Sequence, residues 1–166
     1  MVVSDLFQAG TDTIQTFLRW ALLILANDPK LQEKIHDEIN ENIRDRPPTQ
    51  DDKKVLSFTY AFVLEVLRFR PSAPVGIDHV NSNDAQLGGY KIPKNTRVIF
   101  NLYAQNNDPK YWKNPEKFDP NRFLDENGVL KKGKFLSFVT FGLGRRDKPA
   151  RGNRLLSGCR WKTLSN

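Results

Sequence analysis

Cysteine and histidine are scarce in this 166-residue chain, which has one Cys, Cys159, and two His, His36 and His79. A single cysteine excludes an intramolecular disulfide framework. Together the three residues do not make a structural zinc site, which takes four ligands. Long apolar runs are missing as well. The longest, Phe17 to Ala26, carries Arg19 and is far too short to span a bilayer. No signal-peptide pattern stands at Met1, so the expectation is a chain without a leader or membrane anchor. There is no internal repeat and no low-complexity segment. What is present suits one domain: 39% hydrophobic residues suffice for a core, and 27% charged residues exclude both an acidic disordered tail and a membrane bundle.

Charge is unevenly placed. The net charge is +7, yet Lys131 to Asn166 alone carries ten Lys/Arg against one acid, Asp147, a net +9. Residues 1–130 hold sixteen bases and eighteen acids, a net −2. A basic balance permits a nucleic acid, an anionic surface or an acidic partner and selects none of them. Beyond Phe141 the basic segment has one aromatic, Trp161, too few for base stacking, so nucleic acid is disfavoured as a partner.

Apolar spacing predicts a first helix over 4–27, with Phe7, Ile14, Phe17, Leu18, Ala21, Leu22 and Leu25 on three- and four-residue steps. A second helix is predicted over 30–43, with Leu31, Ile35 and Ile39 inward and Lys34 and Glu38 paired on the wet side. Arg44 to Asp52, with Pro47-Pro48, reads as a linker. Ser57 is the expected cap of a third helix over 58–69, which Pro71 ends. Short strands are predicted at Val75–Ile77, Gln86–Leu87, Tyr90–Ile92 and Arg97–Phe100. Residues 103–128 form a long connection that needs side-chain pins.

Four constellations stand out, each with a plainer reading beside it. Ala9-Gly10-Thr11-Asp12-Thr13 puts poor helix formers in mid-helix, which opens a groove or, on pattern alone, makes a surface turn. Glu65 and Arg68 share a helix face at i,i+3; flanked by Leu64, Val66, Leu67 and Phe69, the pair is expected to be at least half buried. In Phe118-Asp119-Pro120-Asn121-Arg122-Phe123, Arg122 reaches Glu65 and locks the loop, or points to solvent. Phe141-Gly142-Leu143-Gly144-Arg145-Arg146 is a weak phosphate-cradle signal by itself. His79 alone reads as a strand surface residue.

In this order and at these separations, the four segments resemble the cytochrome P450 haem-thiolate monooxygenases over residues 1 to about 146. Connecting text agrees: Arg70-Pro71, Pro74, Gly89-Tyr90-Lys91-Ile92-Pro93-Lys94 and Asn107-Asp108-Pro109 with Trp112 and Pro115. Leu67 to Trp112 looks most like animal steroid 17-alpha-hydroxylases and aryl hydrocarbon monooxygenases. The resemblance implies a mainly α fold with a small β region. It implies haem as cofactor, a small apolar substrate (steroid, lipid or xenobiotic), and electrons from NADPH-cytochrome P450 reductase or another donor. It places intact relatives at the endoplasmic reticulum membrane or in mitochondria. It makes Asp12 and Thr13 the pair that guides protons to oxygen, and Ala9 and Gly10 small residues facing haem. Phe141 joins them as a haem-contacting residue. Glu65, Arg68 and Arg122 become a structural clamp, His79 and Arg146 propionate contacts, and Ala73, Pro74 and Val75 a substrate-contacting stretch.

One departure is sharp. The family pattern after Phe141 calls for its axial cysteine at position 148, and the residue there is Lys148. A lysine side chain, which ordinarily titrates at about 10.4, is protonated at neutral pH and has no lone pair to give, whereas the family ligand is a thiolate. Residues 151–160 show no apolar helical period where the family has a long helix, as a reading-frame change after Arg146 would produce. Cys159 lies eleven residues too late. The expectation is therefore a C-terminal P450 portion over 1–146 and a disordered basic tail over 147–166. With the family's N-terminal half also absent, the resemblance implies an internal fragment, a pseudogene product or a mis-spliced product. The alternative to an oxidoreductase fragment is a non-catalytic remnant unable to bind haem normally.

Overall fold

The structure, a computed structural model, describes residues 2–131 and 138–140. Helix α1 spans Val2–Asn27, α2 Pro29–Asn42, α3 Ser57–Phe69 and the short α4 Leu102–Asn106. Single 3-10 turns lie at Gln50–Lys54 and Pro120–Phe123. Strands β1 (His79–Val80) and β4 (Arg97–Val98) pair antiparallel, as do β2 (Ala85–Leu87) and β3 (Tyr90–Ile92). The fold is mainly α with a small β region.

The three long helices form where apolar spacing places them. Asp28 starts α2: its side chain accepts from the Leu31 N–H at 3.1 Å, and Pro29 fills a first-turn position where no N–H is needed. Ala21 of α1, Leu31 of α2 and Phe58, Ala61, Phe62 and Val66 of α3 converge on one core. Trp112, Phe123, Leu124 and Phe138 close it from the far side, with Phe123 set 5.8 Å from Trp112 and 5.7 Å from Phe138 by ring centroid. Helix α3 is the central element: two faces are buried, one against α1 and α2 and one against the Pro120–Phe123 turn.

The start of α3 corrects two sequence expectations. Ser57 is inside the helix, and Leu56 at the cap position offers no side-chain bond. The cap comes from α2 instead. Glu38 Oε1 accepts from Phe58 N at 2.8 Å, and Oε2 accepts from Thr59 N at 2.7 Å and Thr59 Oγ1 at 2.6 Å. A carboxylate satisfies two orphan donors at once and meets the positive end of the helix dipole, which one hydroxyl cannot do. Glu38 is thus not on the wet side, and Lys34 stands 3.8 Å over the Phe58 ring rather than pairing with it.

The expected linker is also built. Asp52 is 7% exposed and accepts from Arg46 Nη1 at 3.0 Å, Arg46 Nη2, and the N–H and hydroxyl of Thr49. The Arg46 guanidinium first, then the Thr49 hydrogen bonds, hold the Asp52 carboxyl well below the usual carboxylate range.

The strand expectations hold in part. Gly88-Gly89, at φ +57° and +87°, make the two-residue turn that sets Leu87 opposite Tyr90. Val75–Ile77 is not a strand. Gly76 N donates to Ala73 O at 3.1 Å with Gly76 at φ +64°, so the chain turns there. β4 stops at Val98, because its partner β1, which the sequence did not announce, is only two residues long. Within 103–128, α4 and the second 3-10 turn break up the expected connection.

Glu38→Ala should lower stability by about 1–2 kcal/mol in chemical denaturation through loss of the α3 cap, with helical circular dichroism reduced at its midpoint. Asp52 should make stability depend on pH. Because its folded-state pKa is depressed, its contribution is complete above the unfolded value and is lost as pH falls through the folded one. The stability gap between the wild-type chain and Asp52→Asn should stay constant from neutrality to about pH 5 and narrow below that.

Candidate functional site

Glu65 and Arg68 face inward one turn apart on α3, and both are fully buried. Arg68 grips the carboxylate with two parallel bonds, Nε to Oε2 at 2.7 Å and Nη2 to Oε1 at 2.8 Å. Arg122, delivered by the Pro120–Phe123 turn, donates Nε to Glu65 Oε1 at 3.0 Å, and the Asp119 N–H donates to the same oxygen at 3.0 Å. The remaining guanidinium donors reach backbone carbonyls: Arg68 those of Asn106 and Pro115 at 2.9 Å, Arg122 those of Lys113 at 3.0 Å and Lys117 at 2.9 Å. Two positive charges face one carboxylate, and the surplus is met by these carbonyl dipoles. The cluster therefore fastens residues 106–123, which form no strand ladder, to α3. Trp112 lies beneath both guanidiniums, 5.3 Å from Arg68 Cζ and 5.9 Å from Arg122 Cζ.

The Ala9–Thr13 segment is continuous α-helix, not a surface turn. Packing of Phe17, Trp20, Ala21, Ile24 and Leu25 against the core carries the helix through the weak formers. Thr13 Oγ1 donates back to Ala9 O at 2.7 Å, which leaves its lone pairs outward. A Cβ at Gly10 would meet nothing within 4 Å, and Ala9, Gly10, Asp12 and Thr13 are all exposed. Apolar side chains beside them are exposed too: Leu6 by 68%, Phe7 by 72% and Ile14 by 58%. Ser72 Oγ donates to Thr13 O at 3.2 Å, tying the chain before Ala73–Val75 to α1.

His79 is exposed on β1, with Nδ1–H donating to Ile77 O at 2.8 Å and its ring edge-on to Phe100. With that nitrogen committed, the ring offers a carboxylate a donor only as imidazolium. The structure thus unites Glu65, Arg68 and Arg122, keeps Asp12 and Thr13 on a separate helix face, and leaves His79 on the sheet. Phe141, Arg146, Lys148 and Cys159 lie outside the described residues. Sequence reasoning missed Asn106 and Trp112 as members of the cluster; the available signal was an aromatic and an amide in a Pro-rich stretch that must pack against a buried arginine.

A family model described as cytochrome P450 matches residues 1–147. The chain belongs to the cytochrome P450 family. It is 44% identical over 147 residues to steroid 17-alpha-hydroxylase/17,20 lyase of Squalus acanthias, covering 88% of this chain and 29% of that protein. It is 42% identical over 146 residues to cytochrome P450 2U1 of Homo sapiens, covering 87% of this chain and 26% of that protein. It is 43% identical over 147 residues to cytochrome P450 1A1 of Sparus aurata, covering 87% and 28%. The chain spans less than a third of the length of these relatives. The family match stops one residue before Lys148.

Removal of one buried partner strands the others. Glu65→Ala should destabilise the fold by about 3–5 kcal/mol in urea or guanidinium titration, because Arg68 would be left buried and uncompensated. Arg122→Ala should cost less, since Glu65 keeps both Arg68 bonds.

Proposed function

We propose that this chain is part of a haem-dependent monooxygenase that, in full-length form, inserts one oxygen atom from O2 into an apolar steroid, lipid or xenobiotic substrate. A flavoprotein such as NADPH-cytochrome P450 reductase, or another electron donor, would supply the electrons. The observation that carries this reading is the fully buried Glu65–Arg68 pair bound by Arg122 within a chain that matches the P450 family over 1–147.

In such an enzyme haem supplies the iron centre at which dioxygen is reduced. The residues present fit parts of that task. Open space at Gly10 lets a flat group approach the α1 backbone. The exposed Leu6, Phe7 and Ile14 suit an apolar neighbour. Thr13, its hydroxyl hydrogen engaged by Ala9 O, accepts a proton donor at Oγ1, and the exposed Asp12 carboxylate is open to protons from water. Ser72 holds the Ala73–Val75 stretch near that helix. The axial donor does not fit: the family position for the thiolate carries Lys148, an amine where the family has a thiolate. No step through iron is therefore assigned to this chain. No helix among the described residues is long and apolar enough to cross a membrane, and membrane association is proposed only for the full-length relatives.

The test is a chimera. Residues 1–140 of this chain replace the matching segment of a full-length steroid 17-alpha-hydroxylase that keeps its own cysteine loop. The chimera should bind haem, show the long-wavelength band of a reduced, CO-bound thiolate haem, and hydroxylate substrate; a folded chimera without that band or turnover would overturn the reading. The unmodified chain, given haem, should not show the thiolate band, because position 148 holds a lysine rather than a cysteine.

A further inference from the structure

Among the described residues, three buried polar atoms on segments packed around α3 and α4 have no hydrogen-bond partner in the protein: Asn106 Nδ2, Trp112 Nε1 and Thr140 Oγ1. Their residues are 0%, 5% and 8% exposed. Native interiors rarely leave such groups unmet.

They belong to one neighbourhood. Arg68 Nη1 donates to the Asn106 carbonyl at 2.9 Å, and Arg68 Cζ stands 5.3 Å from the Trp112 ring. The Val139 N–H donates to Asn106 Oδ1 at 3.1 Å, so the segment that carries Thr140 packs against the Asn106 side chain. That bond also fixes the amide orientation. A backbone N–H only donates, so the oxygen must face Val139 and Nδ2 must face away.

We propose that these three groups hold one buried water molecule, which accepts from Asn106 Nδ2–H and Trp112 Nε1–H and bonds the Thr140 hydroxyl. Three protein partners is the usual number for an internal water. The chemistry favours water over an anion. All five N–H groups of Arg68 are already directed at protein oxygens: Glu65 Oε1 and Oε2, Asn106 O, Pro115 O and Asn107 Oδ1. No charged donor is left to neutralise an anion, whereas two neutral N–H donors and a hydroxyl match a water's two lone pairs and its hydrogens. An apolar ligand would leave all three groups unmet. The water would join the end of α4, the Trp112 segment and residues 138–140 at a place the Glu65 cluster does not reach.

The test uses the full chain labelled with 15N-tryptophan, its indole signals assigned through Trp20→Phe and Trp161→Phe so that the site stays intact. The Trp112 indole hydrogen should show a dipolar cross-peak to water with the sign of a long-lived bound molecule. Oxygen-17 relaxation dispersion, which follows the water oxygen rather than exchangeable hydrogens, should lose the amplitude of about one buried water in Thr140→Val. Absence of the cross-peak in the wild-type chain would overturn the proposal. Unchanged dispersion amplitude in Thr140→Val would overturn the shared site. Loss of the cross-peak when chloride is raised would assign the site to an anion and overturn it equally. Should Thr140→Val fail to fold, Thr140→Ala read by the same dispersion amplitude decides.

Discussion

A carboxylate cut off from water must find all its hydrogen bonds within the protein, and Glu65 finds four. Two come from Arg68, one from Arg122 and one from the Asp119 backbone. Burial of a charge is tolerated only on these terms. The rest of the described structure arranges itself around that demand. Helix α3 needs two buried faces to hide the pair, α1 and α2 supply one wall, and the irregular segment from Asn106 to Phe123 supplies the other. That segment has no ladder of its own, so its carbonyls are free to face the guanidiniums. The arginines satisfy backbone that would otherwise be stranded, and the backbone dipoles balance the second positive charge.

The helices were legible because apolar spacing over ten or more residues outweighs local propensity, as α1 shows in running through Gly10 and two threonines. The Glu65–Arg68 pair was legible from spacing plus its apolar flanks. What failed was what depends on distant chain. Ser57 looked like a cap because it is the right residue type in the right place, while the acceptor in use, Glu38, stands twenty residues away. No local rule reveals that a neighbouring helix points a carboxylate at the vacant N–H groups. The same holds for β1, whose two residues acquire strand character only through pairing with Arg97–Val98. Val75–Ile77 has strand composition but a left-handed glycine at its centre.

The candidate site divides along the same line. The clamp rests on short-range helix geometry and one long-range arginine, and its parts come together among the described residues. The residues that the family resemblance assigns to oxygen and haem are spread over α1, the sheet and the segment beyond Thr140, with α1 presenting an open apolar face. A face built of Leu6, Phe7 and Ile14 acquires a purpose only against something else.

The bond from Arg122 to Glu65 joins residues fifty-seven apart. Both two-stranded sheets lie inside the loop it closes, and nearly all their side chains are exposed. The entropy of closing a loop grows only with the logarithm of its length, so that even doubling it costs about 0.6 kcal/mol. The hairpin around Gly88-Gly89 is exposed along nearly its whole length, so a change in its length would alter the closure entropy of the Glu65–Arg122 loop only slightly.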